Sequence, residues 1–97
     1  MRFEIELTDE AVADFKALKA SWRVAVKDAM EVHLRHEPGK VSRSRIKRLR
    51  ELSKPQFRLR VEELRVFSDV EDRTGTVHAI VLKSEAASWL AQFGESK

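Results

Sequence analysis

The 97-residue sequence contains no cysteine and no tyrosine, and it has only three glycines and two prolines. Without cysteine, a disulfide framework and thiolate metal sites are excluded, which fits the reducing cytoplasm. Few glycines and prolines favour mostly regular secondary structure. The chain has no run near the roughly 20 apolar residues of a membrane span and no signal-peptide core in MRFEIELTDE. We therefore expect a cytoplasmic, single-domain protein over residues 1–97.

Charge is distributed unevenly along the chain. Charged residues make up 36% of the sequence, yet the formal net charge is only +3. Residues 38–66 hold ten lysines and arginines against three aspartates and glutamates. Such a segment favours a polyanionic ligand, and an ordinary solvated charged surface is the alternative.

The apolar periodicity predicts an α+β fold with the order β-α-α-β-β-β-α. Residues 2–7 alternate as in a strand, and Thr8 is suited to cap the helix that follows. A second helix is expected to begin at Ser21 and to end at residues 37–39, which read Glu-Pro-Gly. Residues 45–52 fit either a short strand or a helical turn, and periodicity does not decide between them.

The second half of the chain predicts strands over residues 57–61, 64–70 and 77–82. The last of these is apolar enough to be buried on both faces. Gly75 is expected to supply a permissive backbone in the turn before it. Ser84 is expected to cap a final helix.

The stretch FRLRVEELRVF predicts a hairpin in which arginine faces arginine. A two-residue connection at residues 62 and 63 pairs Arg60 with Arg65 and places Arg58 and Phe67 on the same face. Like charges opposite one another destabilise a sheet by up to about 1 kcal/mol. Guanidinium groups, however, bind phosphate through a planar fork of donors. The face therefore suits phosphate and, through Phe67, a stacked base, unless neighbouring carboxylates simply balance it.

Other catalytic motifs are absent from the sequence. It contains no glycine-rich nucleotide loop. His33 and His36 have a spacing that is common both in metal sites and on ordinary helix surfaces. We expect no metal and no cofactor, and catalysis, if present, would rest on arginine and lysine. RNA suits such residues because its own 2′-OH can attack the adjacent phosphate, so that the protein need only position the strand and stabilise charge.

Residues 45–70, RIKRLRELSKPQFRLRVEELRVFSDV, follow a helical segment that ends in HEPGK. Together they resemble the RelE/ParE superfamily of bacterial type II toxin–antitoxin toxins, and RelE-like members in particular, from residue 2 to about residue 93. The resemblance implies a small twisted antiparallel sheet with an N-terminal helical hairpin on one side and a short C-terminal helix. RelE-like members are endoribonucleases that cleave mRNA in the ribosomal A site and inhibit translation.

The resemblance also implies partners and alternatives. The partners are a cognate antitoxin that wraps the toxin, the ribosome and mRNA, and a higher-order toxin–antitoxin complex is one arrangement open to the pair. ParE-like members inhibit DNA gyrase and are not nucleases. A non-catalytic RNA-binding or partner-binding module of the same fold is the third reading.

Carried over by position, the catalytic basic cluster falls on Arg58, Arg60, Arg65 and Lys83. In this reading Arg65 grips the scissile phosphate, Arg58 and Arg60 hold it or assist proton transfer, and Lys83 supports the leaving group. The implied RNA footprint extends over Arg45, Lys47, Arg48 and Arg50, with Phe67 and Trp89 as aromatic contacts. Many relatives carry a tyrosine near the C-terminus. Trp89 lies nearest that position and can stack, but it cannot act as an acid or base, which raises the gyrase alternative.

Overall fold

The computed structural model describes residues 2–35 and 45–97, so His36 and the helix end expected at residues 37–39 lie outside the described residues. The elements in chain order are β1 (Glu4–Leu7), α1 (Asp9–Ala17), α2 (Ala20–Leu34), β2 (Ile46–Arg48), β3 (Leu52–Lys54), β4 (Phe57–Val61), β5 (Leu64–Glu71), β6 (Thr74–Leu82), α3 (Ala86–Phe93) and β7 (Glu95–Ser96). The α+β class is confirmed. None of the helices within these ranges has the length and apolar character needed to cross a bilayer.

The main sheet has five strands in the order β1-β6-β5-β4-β2. The four strands from β6 to β2 are antiparallel to their neighbours, but β1 runs parallel to β6. The expectation of a wholly antiparallel sheet was therefore wrong. Parallel neighbours need a long connection, and here most of the chain lies between the two strands. The short strands β3 and β7 form a separate two-stranded sheet, and β7 had no counterpart in the expected order.

The hydrophobic core lies between one face of the sheet and the pair α1 and α2. The helices contribute buried apolar side chains, among them Val26, Met30 and Leu34. The sheet contributes every second residue of its strands, whereas the helices contribute residues three or four positions apart, because these are the spacings that place side chains on one face. The core residues of the sheet are Ile46, Phe57, Leu59, Val61, Leu64, Val66, Val77 and Ile80.

The side chains of Thr8, which precedes α1, and of Asp14 in α1 form hydrogen bonds with backbone groups of β6 just beyond the residues that pair with β1. The Thr8 hydroxyl accepts from the Ala11 N–H at 3.1 Å, which makes it the predicted helix cap. The same hydroxyl donates to the His78 carbonyl at 3.2 Å. One Asp14 oxygen accepts from the Ile80 N–H at 3.0 Å. Helix and sheet are thus joined by polar contacts as well as by the core.

The predictions for two helix starts, at Ser21 and Ser84, and for the turn residue Gly75 were wrong. Ser21 lies inside α2, which begins after Lys19, and Ser84 lies in a short 3-10 helix between β6 and α3. Gly75 sits in β6 without a positive φ, and Asp72 instead adopts φ 56° in the preceding turn. Aspartate tolerates that left-handed conformation because its short polar side chain can bond the local backbone. The turn therefore needs no glycine.

Ser68 places a hydroxyl on the core face of the sheet. Its neighbours on the adjacent strands are Phe57 and Val77, and it is 1% exposed. Within the described ranges its Oγ has no hydrogen-bond partner. A buried polar group without a partner loses its bonds to water and gains none in the fold.

Replacing Ser68 by alanine should therefore raise the free energy of unfolding, by up to about 1 kcal/mol, because an unsatisfied hydroxyl is removed from the core. Urea denaturation of Ser68→Ala beside the wild type measures this. Ser84→Ala, at an exposed site in the turn before α3, is the control. A loss of 1 kcal/mol or more in Ser68→Ala would mean that the hydroxyl is bonded.

Candidate nucleic-acid interface

The β4–β5 hairpin has the predicted register. Val61 pairs with Leu64, Arg60 with Arg65, and Arg58 with Phe67. Glu62 makes the tight connection with φ 52°, and the Glu63 carbonyl accepts from the Lys83 N–H at 2.7 Å. The hairpin therefore turns its apolar side chains to α1 and α2 and its arginines to the opposite face.

Four basic residues share that opposite face: Arg58, Arg60, Arg65 and Lys47. Lys47 of β2 joins them because it pairs with Arg58. We call this set the arginine face. Over residues 2–35 and 45–97, no carboxylate lies within ion-pair distance of Lys47, Arg58 or Arg60. Neighbouring carboxylates therefore form no direct ion pair with these three residues, although the charge of Glu63 favours the charged form of Arg65.

Arg65 is the most enclosed member of the arginine face, at 8% exposure. Its Nη1 donates to the carbonyls of Glu62 at 3.0 Å and Leu64 at 2.7 Å. Burial lowers the pKa of Arg65, and the nearby charges of Arg58 and Arg60 lower it further. Guanidinium stays charged at neutral pH, so Arg65 holds a positive charge at a largely buried position beside two like charges.

The two bonds from Nη1 also orient the Arg65 guanidinium. They leave the Nε and Nη2 edge without a hydrogen-bond partner in the described part of the chain. That edge is the two-donor fork that binds phosphate oxygens. Arg65 thus braces the hairpin, while the donors of its Nε and Nη2 edge remain unpaired among the described residues.

The remaining residues of the expected basic footprint lie elsewhere. Arg48 points to the core side, with its guanidinium carbon 5.1 Å from the centre of the Phe57 ring. Arg45 lies close enough to α2 that its charge, after the larger effect of burial, lowers the pKa of His33. Arg50 is exposed in the turn between β2 and β3. Alternation along β2 explains why Lys47 reaches the arginine face and Arg48 does not.

Lys83 lies directly after β6, at the hairpin end of the arginine face. Its backbone bond to Glu63 fixes that position, and its side chain is exposed. The structure thus places four of the predicted basic residues on one face of the sheet, and it places Lys83 at the end of that face next to the β4–β5 turn.

Phe67 does not offer an open ring as expected. It is fully buried, because Trp89 of α3 stacks on it with ring centroids 4.8 Å apart and planes 5° apart. Phe93 packs against Trp89 at 5.5 Å. The side chain of Trp89 is only half-buried. The ring that the solvent can reach at this position is therefore that of Trp89 and not that of Phe67.

Sequence reasoning missed the pair of Asp69 and His78. Ala79 pairs with Phe67 and Val77 with Ser68, so His78 is an extra residue, a β-bulge, in β6. Its Nε2 lies 2.5 Å from an Asp69 carboxylate oxygen. A lone histidine in an apolar strand was the only signal in the sequence. Among the described residues, no cluster of three or more His, Asp or Glu side chains could hold a metal ion.

The bracing role of Arg65 can be separated from the charge it adds. In Arg65→Lys the charge stays, but a lysine cannot reproduce the fixed fork, so the unfolding free energy should fall by about 1.5–3 kcal/mol. Arg60→Lys, on the exposed neighbour, should change it by less than about 0.5 kcal/mol. Urea denaturation of both variants gives the comparison, and equal values would show that the carbonyl bonds add no stability.

Comparison with known protein families and with curated protein sequences found no match. Among solved structures, the chain is similar to a chain of the RelB–RelE antitoxin–toxin complex from Methanococcus jannaschii, with a TM-score of 0.66. The likeness covers 87% of this chain and 96% of that chain at 15% sequence identity. The protein therefore has the fold of a chain found in an antitoxin–toxin complex.

Proposed function

We propose that this protein is the toxin component of a toxin–antitoxin pair and that the arginine face binds RNA. The observation that carries the proposal is the set of guanidinium groups on one sheet face without carboxylate partners among the described residues. Such a set pays a repulsive cost in the free protein, which bound phosphate reverses. The fold likeness supports the pairing with an antitoxin.

The proposed reaction is cleavage of mRNA in the ribosomal A site. The 2′-oxygen attacks the adjacent phosphorus, the P–O2′ bond forms and the P–O5′ bond breaks. Arg58 and Arg60 hold the strand, and the free edge of Arg65 faces the scissile phosphate, whose negative charge grows in the transition state. Lys83 neutralises the departing 5′-oxygen. Arginine is too weak an acid to move the protons at neutral pH, so these residues position the strand and stabilise charge. The proton of the attacking 2′-OH passes to water, and the departing 5′-oxygen takes a proton from water.

Binding through phosphate has a measurable salt signature. Each phosphate contact to a single strand contributes about −0.7 to the slope of log affinity against log salt concentration. Arg58→Gln and Arg60→Gln should each make the slope shallower by about that amount. Arg48→Gln is the matched control because it removes an arginine that lies on the core side of the sheet, over Phe57, and not on the arginine face. Fluorescence anisotropy with a labelled single-stranded RNA at several salt concentrations measures all three, and identical slopes would remove the arginine face from RNA binding.

Cleavage is tested separately from binding. Toe-printing of a translated message with purified ribosomes should show A-site cuts with the wild type and strongly reduced cutting with Arg65→Gln, because a transition-state contact is lost. Arg48→Gln should cut like the wild type. If the wild type makes no cuts, the nuclease assignment fails even where RNA binding holds.

Inhibition of DNA gyrase is the second candidate. It is favoured by the lack of any tyrosine in the chain and by an arginine face whose members include no histidine and no carboxylate. A supercoiling assay with purified gyrase decides it, since inhibition by the wild type without A-site cuts would support this candidate. Salt-dependent RNA binding with neither activity would instead identify a non-catalytic binding module.

A further inference from the structure

We propose that one edge of β6 binds an extended segment of a partner protein, which runs parallel to β6 and adds a strand to the sheet. β1 pairs with β6 only as far as Val77, and the chain then leaves the sheet to form α1. Residues 79–82 of β6 therefore have no neighbouring strand on that side within the described ranges. We call residues 79–82 the open edge. The proposal does not depend on RNA binding, because it does not use the arginine face.

The alternation of hydrogen bonds determines which groups of the open edge point outward. In an antiparallel pair, every second residue exchanges both backbone bonds with the neighbouring strand, and the residues between them direct their N–H and carbonyl groups away from it. The Lys83 N–H donates to the Glu63 carbonyl, so Val81, two positions earlier, is likewise bonded to β5. Ile80 and Leu82 therefore direct their backbone groups outward.

One outward group of each of these two residues is already occupied. The Ile80 N–H donates to the Asp14 carboxylate at 3.0 Å. Leu82 is the N-cap of the 3-10 helix that follows β6, so its carbonyl accepts the first bond of that helix. The Ile80 carbonyl and the Leu82 N–H have no hydrogen-bond partner in the part of the chain that the structure describes. Unpaired groups at a sheet edge are a template for another strand.

These two unpaired groups select a parallel neighbour. In a parallel ladder, one residue of the added strand donates to the carbonyl before its opposite residue and accepts from the N–H after it. A residue opposite Val81 would therefore pair with the Ile80 carbonyl and the Leu82 N–H together. An antiparallel neighbour would need both groups of one residue, and Ile80 and Leu82 each have one group occupied. The added segment thus continues the line of β1, which is also parallel to β6.

An apolar groove beside the open edge suits the side chains of the added segment. The groove has a volume of about 380 Å³, and Leu18, Trp22, Ile80 and Leu82 supply its apolar lining. Opposite residues of neighbouring strands point to the same face, and successive residues alternate. The residues before and after the one opposite Val81 therefore point to the groove. In this mode of recognition, main-chain bonds give affinity and pockets for alternate side chains give specificity, so the occupant carries apolar side chains at alternate positions.

Hydrogen exchange of backbone amides, followed by NMR, tests the open edge. The probe is the capped pentapeptide acetyl-Thr-Val-Thr-Val-Thr-amide, whose valines would point to the groove. In the free protein the Leu82 amide should exchange fast, whereas the Val81 amide should be protected by its bond to β5. At a peptide concentration about ten times its Kd, exchange at Leu82 should slow about tenfold. The same peptide N-methylated at its central residue lacks the N–H for the Ile80 carbonyl and should bind about twofold to tenfold more weakly.

Leu82→Pro removes the N–H that the proposal uses and leaves the fold in place. Leu82 has φ −65°, which is the value that proline requires, and its N–H points away from β5, so the substitution is compatible with the strand. Peptide binding should be lost in this variant. Leu82→Ala is the matched control, since it shortens the side chain but keeps the N–H, and it should retain saturable binding. Circular dichroism and RNA binding equal to those of the wild type verify that Leu82→Pro is folded.

Each result decides for or against the open edge. Saturable protection of the Leu82 amide, with binding lost in Leu82→Pro and retained in Leu82→Ala, supports it. Absence of protection at millimolar peptide, or equal binding of the N-methylated peptide, overturns it. Protection that rises with protein concentration when no peptide is present overturns it in favour of a second copy of this chain. Salt-dependent RNA binding is measured on the same samples, so the proposed function is judged separately.

Discussion

The register of the β4–β5 hairpin is the constraint on which both faces of the sheet depend. Side chains alternate with a period of two, so a slip of one residue would exchange the two faces. Leu59 and Val66 would then lie in solvent, and Arg58 and Arg60 would lie beneath α2. Burial of unpaired guanidinium groups costs several kcal/mol. The packing of the helices therefore forces the arginines to the opposite face, whatever function they serve there.

A single bulge and a single aromatic stack divide that opposite face. At the hairpin end the arginines lie together, and Arg65 is braced by carbonyls of its own turn. At the other end, the bulge at His78 brings its imidazole to Asp69 beside an acidic, aromatic cleft. Trp89 on Phe67 lies between them. The positively charged part of the sheet, at the hairpin end, is thus separated by the Phe67–Trp89 stack from the part that holds the His78–Asp69 pair.

The facing arginines of β4 and β5 lower the stability of the free protein through repulsion, and an anion bound between them would remove that repulsion. Like charges repel across β4 and β5, and the pKa of Arg65 is lowered first by burial and then by the charges of Arg58 and Arg60. A polyanion, or an acidic segment of a partner, would neutralise the face and stabilise the folded state by mass action. The hydroxyl of Ser68, buried without a partner among the described residues, adds a separate local cost. Any anion that binds the arginine face would therefore raise the free energy of unfolding.

The sequence by itself determined the features that depend on local alternation and local capping. Residues 57–70 predicted two strands, their register and the facing arginines, and Thr8 predicted the start of α1, because neighbouring side chains decide these features. Only the tertiary structure decided that Trp89 covers Phe67 and that β1 runs parallel to β6. It also decided that residues 46–48 form a strand paired with β4, and the alternation of that strand then turns Arg48 away from the arginine face. It also decided the pair of Asp69 and His78, since a bulge appears only when two strands are paired. These contacts join residues far apart in the chain, and their geometry depends on packing that no local pattern records.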